Sequence, residues 1–194
     1  LPWWIERMAL LVAGVWFLNL VNFMDGIDWM TVAEILPVAA GLAILGYLGA
    51  LPFYGIVAAL ALFGAMLGFA PFNRPVARLF LGDVGSLPIG LVVGWLLLLL
   101  AARGHLAAAI LLPLYYLADA TVTLIQRLGR GERIWQAHRT HFYQRATDRG
   151  LGILAIVSGV LLINTALVGL AVATVVAESR GAKIGALATG AILV

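Results

Sequence analysis

The stretch NLVNFMDGIDWM, residues 19–30, places Asn19, Asn22, Asp25 and Asp28 between two apolar runs. Carboxylates and carboxamides at such a boundary can hold cations, move protons or bind polar ligands, and ionisable groups near membrane depth are functional candidates by default. Asparagines one turn apart can also simply hydrogen-bond a neighbouring helix. Asp25 and Asp28 are three residues apart and would share a face on a continuing helix. Gly26 favours ending that helix nearby. Further on, TVAE matches a capping box, with Thr31 as N-cap and Glu34 reaching back to it. That pattern gives Glu34 a structural task rather than a catalytic one.

A second cluster is FLGDVGSLPIG, residues 80–90, with Asp83 between Gly82 and Gly85. Ser86 and Pro88 read as the N-cap and early proline of the next helix. The free N–H groups and positive dipole end of such a helix attract anions. Asp83 would repel a phosphate there unless a cation bridged the two. Mg2+, held by one or two carboxylates plus substrate phosphates, suits that arrangement, with Mn2+ as its substitute. The same residues also suit a glycine-rich turn with a capping aspartate. A Walker A loop is excluded, because its Gly-Lys-Ser/Thr ending is absent.

A third cluster is GRGERIWQAHRTHFYQR, residues 129–145, carrying His138, Arg139, His141, Tyr143, Gln144 and Arg145. His138 and His141 would share a face if this stretch were helical. Zinc is disfavoured, since HExxH and a suitably spaced third ligand are missing. Arginines interleaved with His and Tyr suit phosphate and ring recognition; the plainer reading is a solvated basic loop that orients the protein. Asp119 lies inside the apolar segment before this loop, eight residues from Arg127. At about 1.5 Å per residue that is roughly 12 Å below the mouth. It is expected to pair with an arginine or to line the site.

The elements that position these groups follow from composition. The chain is 63% hydrophobic and only 11% charged, where soluble domains are about 45–50% apolar and about 25% charged. It lacks the residues for a wetted surface, so the fold class is all-α, polytopic and transmembrane, as one catalytic domain over residues 1–194. With no cysteine, disulfides and thiolate metal sites are excluded. Seven apolar segments, 8–24, 33–51, 53–70, 87–102, 105–125, 151–177 and 182–194, read as six full spans and a short seventh. The chain begins at Leu1 and its last run has no polar flank. It therefore reads as the C-terminal part of a longer protein. The polar stretches 25–32, 71–86 and 126–150 follow the first, third and fifth segments, so parity puts them on one membrane face. Eight of the twelve Lys and Arg residues lie on that face, which the positive-inside rule names cytoplasmic. The excess also favours an anionic substrate or headgroup. Trp3, Trp4 and Trp29 read as interfacial anchors.

Taken together, the three clusters resemble the polyprenyl-phosphate N-acetylhexosamine-1-phosphate transferases. That family, glycosyltransferase family 4, includes the phospho-MurNAc-pentapeptide translocase and the enzymes that initiate O-antigen and enterobacterial common antigen. NLVNFMDGID looks like its Asn-x-x-Asn-Phe-Met-Asp-Gly-x-Asp motif, FLGDVGS like its Phe-Leu-Gly-Asp-x-Gly-Ser motif, and HRTHFYQR like its His-Arg-x-His-x-Tyr-Gln loop. The resemblance implies Mg2+-dependent transfer of a sugar-1-phosphate from a UDP-N-acetylhexosamine to undecaprenyl or another polyprenyl phosphate, with release of UMP. This step would initiate a cell-envelope glycan such as O-antigen or peptidoglycan at the bacterial inner membrane. By resemblance, Asp83 is the metal-binding aspartate and Phe80 the ring that stacks on uracil. Asn22, Asp25 and Asp28 surround the nucleotide and metal, with Asn19 one turn below. His138, Arg139 and His141, followed by Tyr143, Gln144 and Arg145, contact the diphosphate or sugar, and Asp119 helps line the site.

Two departures from the family stand out. Trp29 occupies a position where the family often has Gly. The family's Asp-Asp pair, from an earlier loop, does not occur in these residues. The segment by itself is therefore expected to be inactive, while the intact protein turns over. The expected partners are the UDP-sugar, the polyprenyl phosphate and the bilayer, with a homodimer admitted and no nucleic acid. The competing readings are a transporter or ion pathway built on Asp119 and the boundary aspartates, an inactive family remnant, and a non-catalytic scaffold.

Overall fold

The computed structural model describes residues 2–133, 139–177 and 179–194. Among them the chain forms nine helices and no strand: α1 (Trp3–Met24), α2 (Met30–Tyr47), α3 (Phe53–Asn73), α4 (Gly82–Ala102), α5 (Leu106–Leu111), α6 (Leu114–Gly129), α7 (Phe142–Asp148), α8 (Ile153–Val176) and α9 (Arg180–Leu193). Five of these, α1, α2, α3, α4 and α8, are long and apolar enough to cross a membrane. Their outward faces carry leucine, valine and tryptophan, including Leu11, Val12, Leu60, Leu91 and Leu162. An apolar exterior is the arrangement a lipid solvent requires. This is a polytopic helical membrane protein.

The central helix is α2, buried along most of its length and flanked by α3 and α8. A second pair, α1 and α4, joins it through α5, which packs on both α4 and α8. The core between them is built on Leu20, Met24, Met30, Ile35, Leu42, Leu96, Leu100, Leu111 and Tyr116.

The apolar segment 105–125 does not form one span. It breaks at Leu112–Pro113 into α5 and α6. Proline has no N–H to give and its ring clashes with the preceding turn, so Pro113 ends one helix and caps the next. The fourth span also starts earlier than Ser86. It starts at Gly82, whose φ of 55° is the left-handed backbone that glycine adopts without strain. Ser86 therefore lies one turn inside the helix.

A glycine sets how α1 meets α4. A Cβ at Gly90 would come within 3.1 Å of the Leu18 Cα, so the two backbones approach with no side chain between them. Small residues permit such close crossings. One turn toward the polar end, the same antiparallel pairing brings Asn22 opposite Ser86.

Glu34 corrects the capping-box expectation. The N-cap of α2 is Trp29, and Thr31 lies inside the first turn. Glu34 is buried on the central helix, and its Oε2 accepts a 2.6 Å hydrogen bond from Asn164 Nδ2 on α8. Asn164 Nδ2 also reaches the Ala33 carbonyl at 3.3 Å. Burial explains the change: an inward-facing carboxyl finds a partner across the bundle rather than folding back on its own turn. Replacing Asn164 with Ala strips that donor from a buried carboxyl, at an expected cost of about 1–3 kcal/mol. A lowered thermal unfolding midpoint in detergent checks this; an unchanged midpoint would show that the pair contributes nothing.

Candidate active site

The acidic turn is built first. Helix α1 ends at Met24, as Gly26 suggests, and Asp25 is its C-cap. Asp25 and Asp28 consequently do not share a helical face. Asp25 Oδ1 accepts a 2.6 Å bond from the Thr31 hydroxyl, while Asp28 Oδ2 accepts the Ala77 N–H at 3.0 Å. One carboxylate is thus tied to α2 and the other to the segment 74–81. Burial raises the Asp25 carboxyl above its ordinary value, and the Thr31 bond offsets part of that rise.

Trp29 is a brace rather than an interfacial anchor. Its φ is 65°, the left-handed region. Glycine adopts this region without strain, whereas a residue with a Cβ is strained there. Its N–H donates to Asn73 Oδ1 at 2.9 Å, and its indole Nε1–H to the Ala70 carbonyl at 2.6 Å. Both bonds go to the last turns of α3.

The second cluster joins the first through a 2.6 Å bond from the Ser86 hydroxyl to Asn22 Oδ1. The same hydroxyl lies 3.0 Å from the Gly82 carbonyl. Ser86 thus links helices instead of capping one. Asn19 stays out of this network, as its Nδ2 bonds the Val15 carbonyl of its own helix. Asp83 is exposed in the first turn of α4, where the helix dipole favours a carboxylate. Phe80, three residues earlier, presents a bare ring to solvent at 71% exposure.

The third cluster is organised by α6. Its inward stripe is Tyr116, Asp119, Ala120, Thr123 and Arg127. Asp119 does not pair with an arginine. Its Oδ1 takes three partners: His141 Nδ1 at 3.0 Å, the Phe142 N–H at 3.1 Å and the Thr123 hydroxyl at 3.2 Å. A carboxylate oxygen shared in this way is an acceptor, so the imidazole presents its Nδ1 edge to it.

Helix α7 begins at Phe142, so His141 precedes it as N-cap and is not part of a helical His138–His141 face. His138 itself lies outside the described residues. Gln144 Oε1 accepts the His141 N–H at 3.3 Å. Arg139 and Arg145 are exposed, and the Arg145 guanidinium lies 5.9 Å from the Phe142 ring centre. Between α6 and this loop is a cleft of about 210 Å³ lined by Thr123, Gln126, Arg127, Arg130, Thr140 and Arg145. Arg127 is held there by Glu132 at 3.3 Å and by the Arg133 carbonyl at 3.0 Å.

First and third clusters meet at Gly26. A Cβ there would collide with the Tyr143 hydroxyl and come within 2.8 Å of Gln144 Nε2. Burial raises the Tyr143 phenol further above the ordinary range, and the charges of Asp119 and Asp25 add to the rise. The three polar stretches therefore gather at one end of the bundle, as parity requires. Sequence pattern does not single out Asn73 or Thr123, although a polar residue closing an apolar run is a usable signal for both.

Residues 1–101 match the family described as glycosyl transferase family 4. The chain belongs to that family. The matched region runs from α1 to the end of α4 and takes in both NLVNFMDGID and FLGDVGS. The family's transferases attach a sugar phosphate to a polyprenyl phosphate. Contacts at Gly26 then attach the HRTHFYQR loop to this family 4 core.

Among the described residues, no three His, Cys, Asp or Glu side chains are grouped to hold a metal by themselves. A cation at the acidic turn would draw on one or two carboxylates and complete its shell from a ligand, which is the habit of Mg2+ rather than of Zn2+.

Gly26→Ala should cost about 1–3 kcal/mol by overpacking against Tyr143 and Gln144, read as a lowered unfolding midpoint; a wild-type midpoint would deny the close contact. For Asp25→Asn the sign runs the other way. A carboxyl raised on folding stabilises the fold below its ordinary value of 3.8, and that contribution is lost as pH rises through the raised value. Asparagine keeps an acceptor for Thr31 without the buried charge. The variant should therefore unfold at higher temperature than wild type at neutral pH, with the gain vanishing below about pH 4. A midpoint difference independent of pH would contradict this.

Proposed function

We propose that this protein transfers a sugar-1-phosphate from a UDP-N-acetylhexosamine to a polyprenyl phosphate at the cytoplasmic face of a bacterial plasma membrane. The observation that carries this reading is the convergence of the acidic turn, the Phe80–Asp83 segment and the histidine–arginine loop at one end of a family 4 bundle. In the reaction, an oxygen of the acceptor phosphate attacks the β-phosphorus of the UDP-sugar. The bridging bond to the α-phosphate breaks and UMP leaves, giving a polyprenyl diphosphate sugar.

Each group has a task suited to its surroundings. Phe80, exposed on its segment, offers a face on which uracil stacks. Asp83 supplies a hard oxygen ligand, with Asp25 and Asp28 around the nucleotide and the metal site. Mg2+ held at Asp83 would neutralise phosphate charge, which is most of what phosphoryl transfer asks of a protein. Arg139 and Arg145 are free to swing onto a diphosphate, and the cleft around Arg127 and Arg130 extends the cationic wall. Asp119 fixes the His141 ring by its Nδ1 edge and, through the Phe142 N–H, holds the start of α7 against α6. Asn22 and Ser86 hold the acidic turn beside α4. An ion pathway would instead distribute such groups through the bundle.

Asp83→Asn in the full-length protein should reduce Mg2+-dependent transfer by about 100-fold or more, consistent with several kcal/mol of charge stabilisation by a metal. Membrane protein levels should be preserved, because Asp83 is exposed and supports no packing. Unchanged transfer would defeat the metal assignment.

A further inference from the structure

We infer that Asn73 is a positioning residue for the nucleotide end of this site: its carboxamide clamps the acidic turn to the segment presenting Phe80 and Asp83, and so sets the affinity for a uridine nucleotide. The inference rests on the transferase reading above and adds to it a residue with no chemistry of its own.

Segment 74–81 has no regular secondary structure. Leu81 at its end packs on the core, but the apolar side chains before it do little to fix it, because Val76 is 91% exposed, Leu79 51% and Phe80 71%. Hydrogen bonds hold that part instead. The Arg78 and Leu79 N–H groups both bond the Phe72 carbonyl, at 2.8 and 3.1 Å. The Ala77 N–H bonds Asp28. The Leu79 carbonyl, directly before Phe80, accepts Asn73 Nδ2 at 2.9 Å.

Asn73 stands apart from the other ties because it works in two directions. It is the last residue of α3 and is buried. Its Oδ1 accepts the N–H of Trp29, the residue after Asp28, while its Nδ2 donates to Leu79. A single amide thereby spans the turn that carries Asp25 and Asp28 and the segment that carries Phe80. Only a carboxamide offers an acceptor on one side and a donor on the other at this length. Aspartate, of the same shape, would face the Leu79 carbonyl with a second acceptor. A loosened Leu79 backbone carries Phe80 with it, and misplacement of a positioning group by about 1 Å is enough to cost binding or rate.

The test is binding of UMP to the detergent-solubilised full-length protein in Mg2+ buffer, by titration calorimetry. Wild type, Asn73→Asp, Phe80→Ala and the double variant are compared, with Asn73→Ser as a second substitution should the aspartate fail to fold. Asn73→Asp or Asn73→Ser should weaken UMP binding about tenfold, and adding either to Phe80→Ala should weaken it less than about twofold further, because the clamp acts through the ring. The KM for the UDP-sugar should rise while that for polyprenyl phosphate stays put. If Phe80→Ala weakens UMP binding while both Asn73 variants bind as wild type, or if the two effects are fully additive, the clamp is overturned and the transferase reading stands. If Phe80→Ala leaves UMP affinity unchanged, the assignment of Phe80 falls, and the clamp's proposed role falls with it.

Discussion

An apolar bundle gives a polar side chain two choices: find a partner inside, or lie at the end where water reaches. Every feature of this site follows from that constraint. Glu34 takes the first course and is matched by Asn164 across the core. Asp25, Asp28 and Asp83 take the second, at the end where α1 stops and α4 starts. Asp119 stands between the two, buried along α6 yet tied to His141 and Phe142 at the start of α7. The result is a graded boundary, with Glu34 paired across the core below and the Asp25 and Asp28 carboxylates each tied through one oxygen above.

The partial matching is what makes the upper layer useful. The Asp25 and Asp28 carboxylates are each bonded through one oxygen, to Thr31 and to Ala77 respectively. That is enough to hold a direction while a second oxygen is left to bind something else. Burial nevertheless opposes the charge on Asp25. Sites of this kind trade stability for chemistry, and a cation bound there would return part of what burial removes. Asp119 and His141 apply the same logic to a ring: the carboxylate holds its orientation.

Much of this was legible in the residues. Five of the spans followed from hydropathy, and the common end of the three polar stretches followed from counting apolar segments. Gly26 marked the end of α1, and Asp119 stood out as a charge inside an apolar run. The failures share a cause. The TVAE pattern is local and reads as a cap, and nothing local reveals that α2 is the buried centre. Ser86 has the look of an N-cap, but its hydroxyl is committed to Asn22, sixty-four residues away. The proline at 113 was visible, yet a hydrophobic count passes over a broken helix. Trp29 was puzzling as a residue type and became plain only with its dihedral, since backbone conformation and two donors, rather than ring chemistry, define its role.

The missing side chain at Gly26 has a consequence for inheritance and for engineering. The turn and the loop fit together because one of them presents bare backbone to a tyrosine and a glutamine of the other. They are lock and key parts within a single chain. Transplanting residues 139–149 from a relative would succeed only if the donor loop were shaped to the same bare turn. Drift at one partner constrains drift at the other, so the two motifs should travel through a family as a pair, although more than a hundred residues of chain separate them.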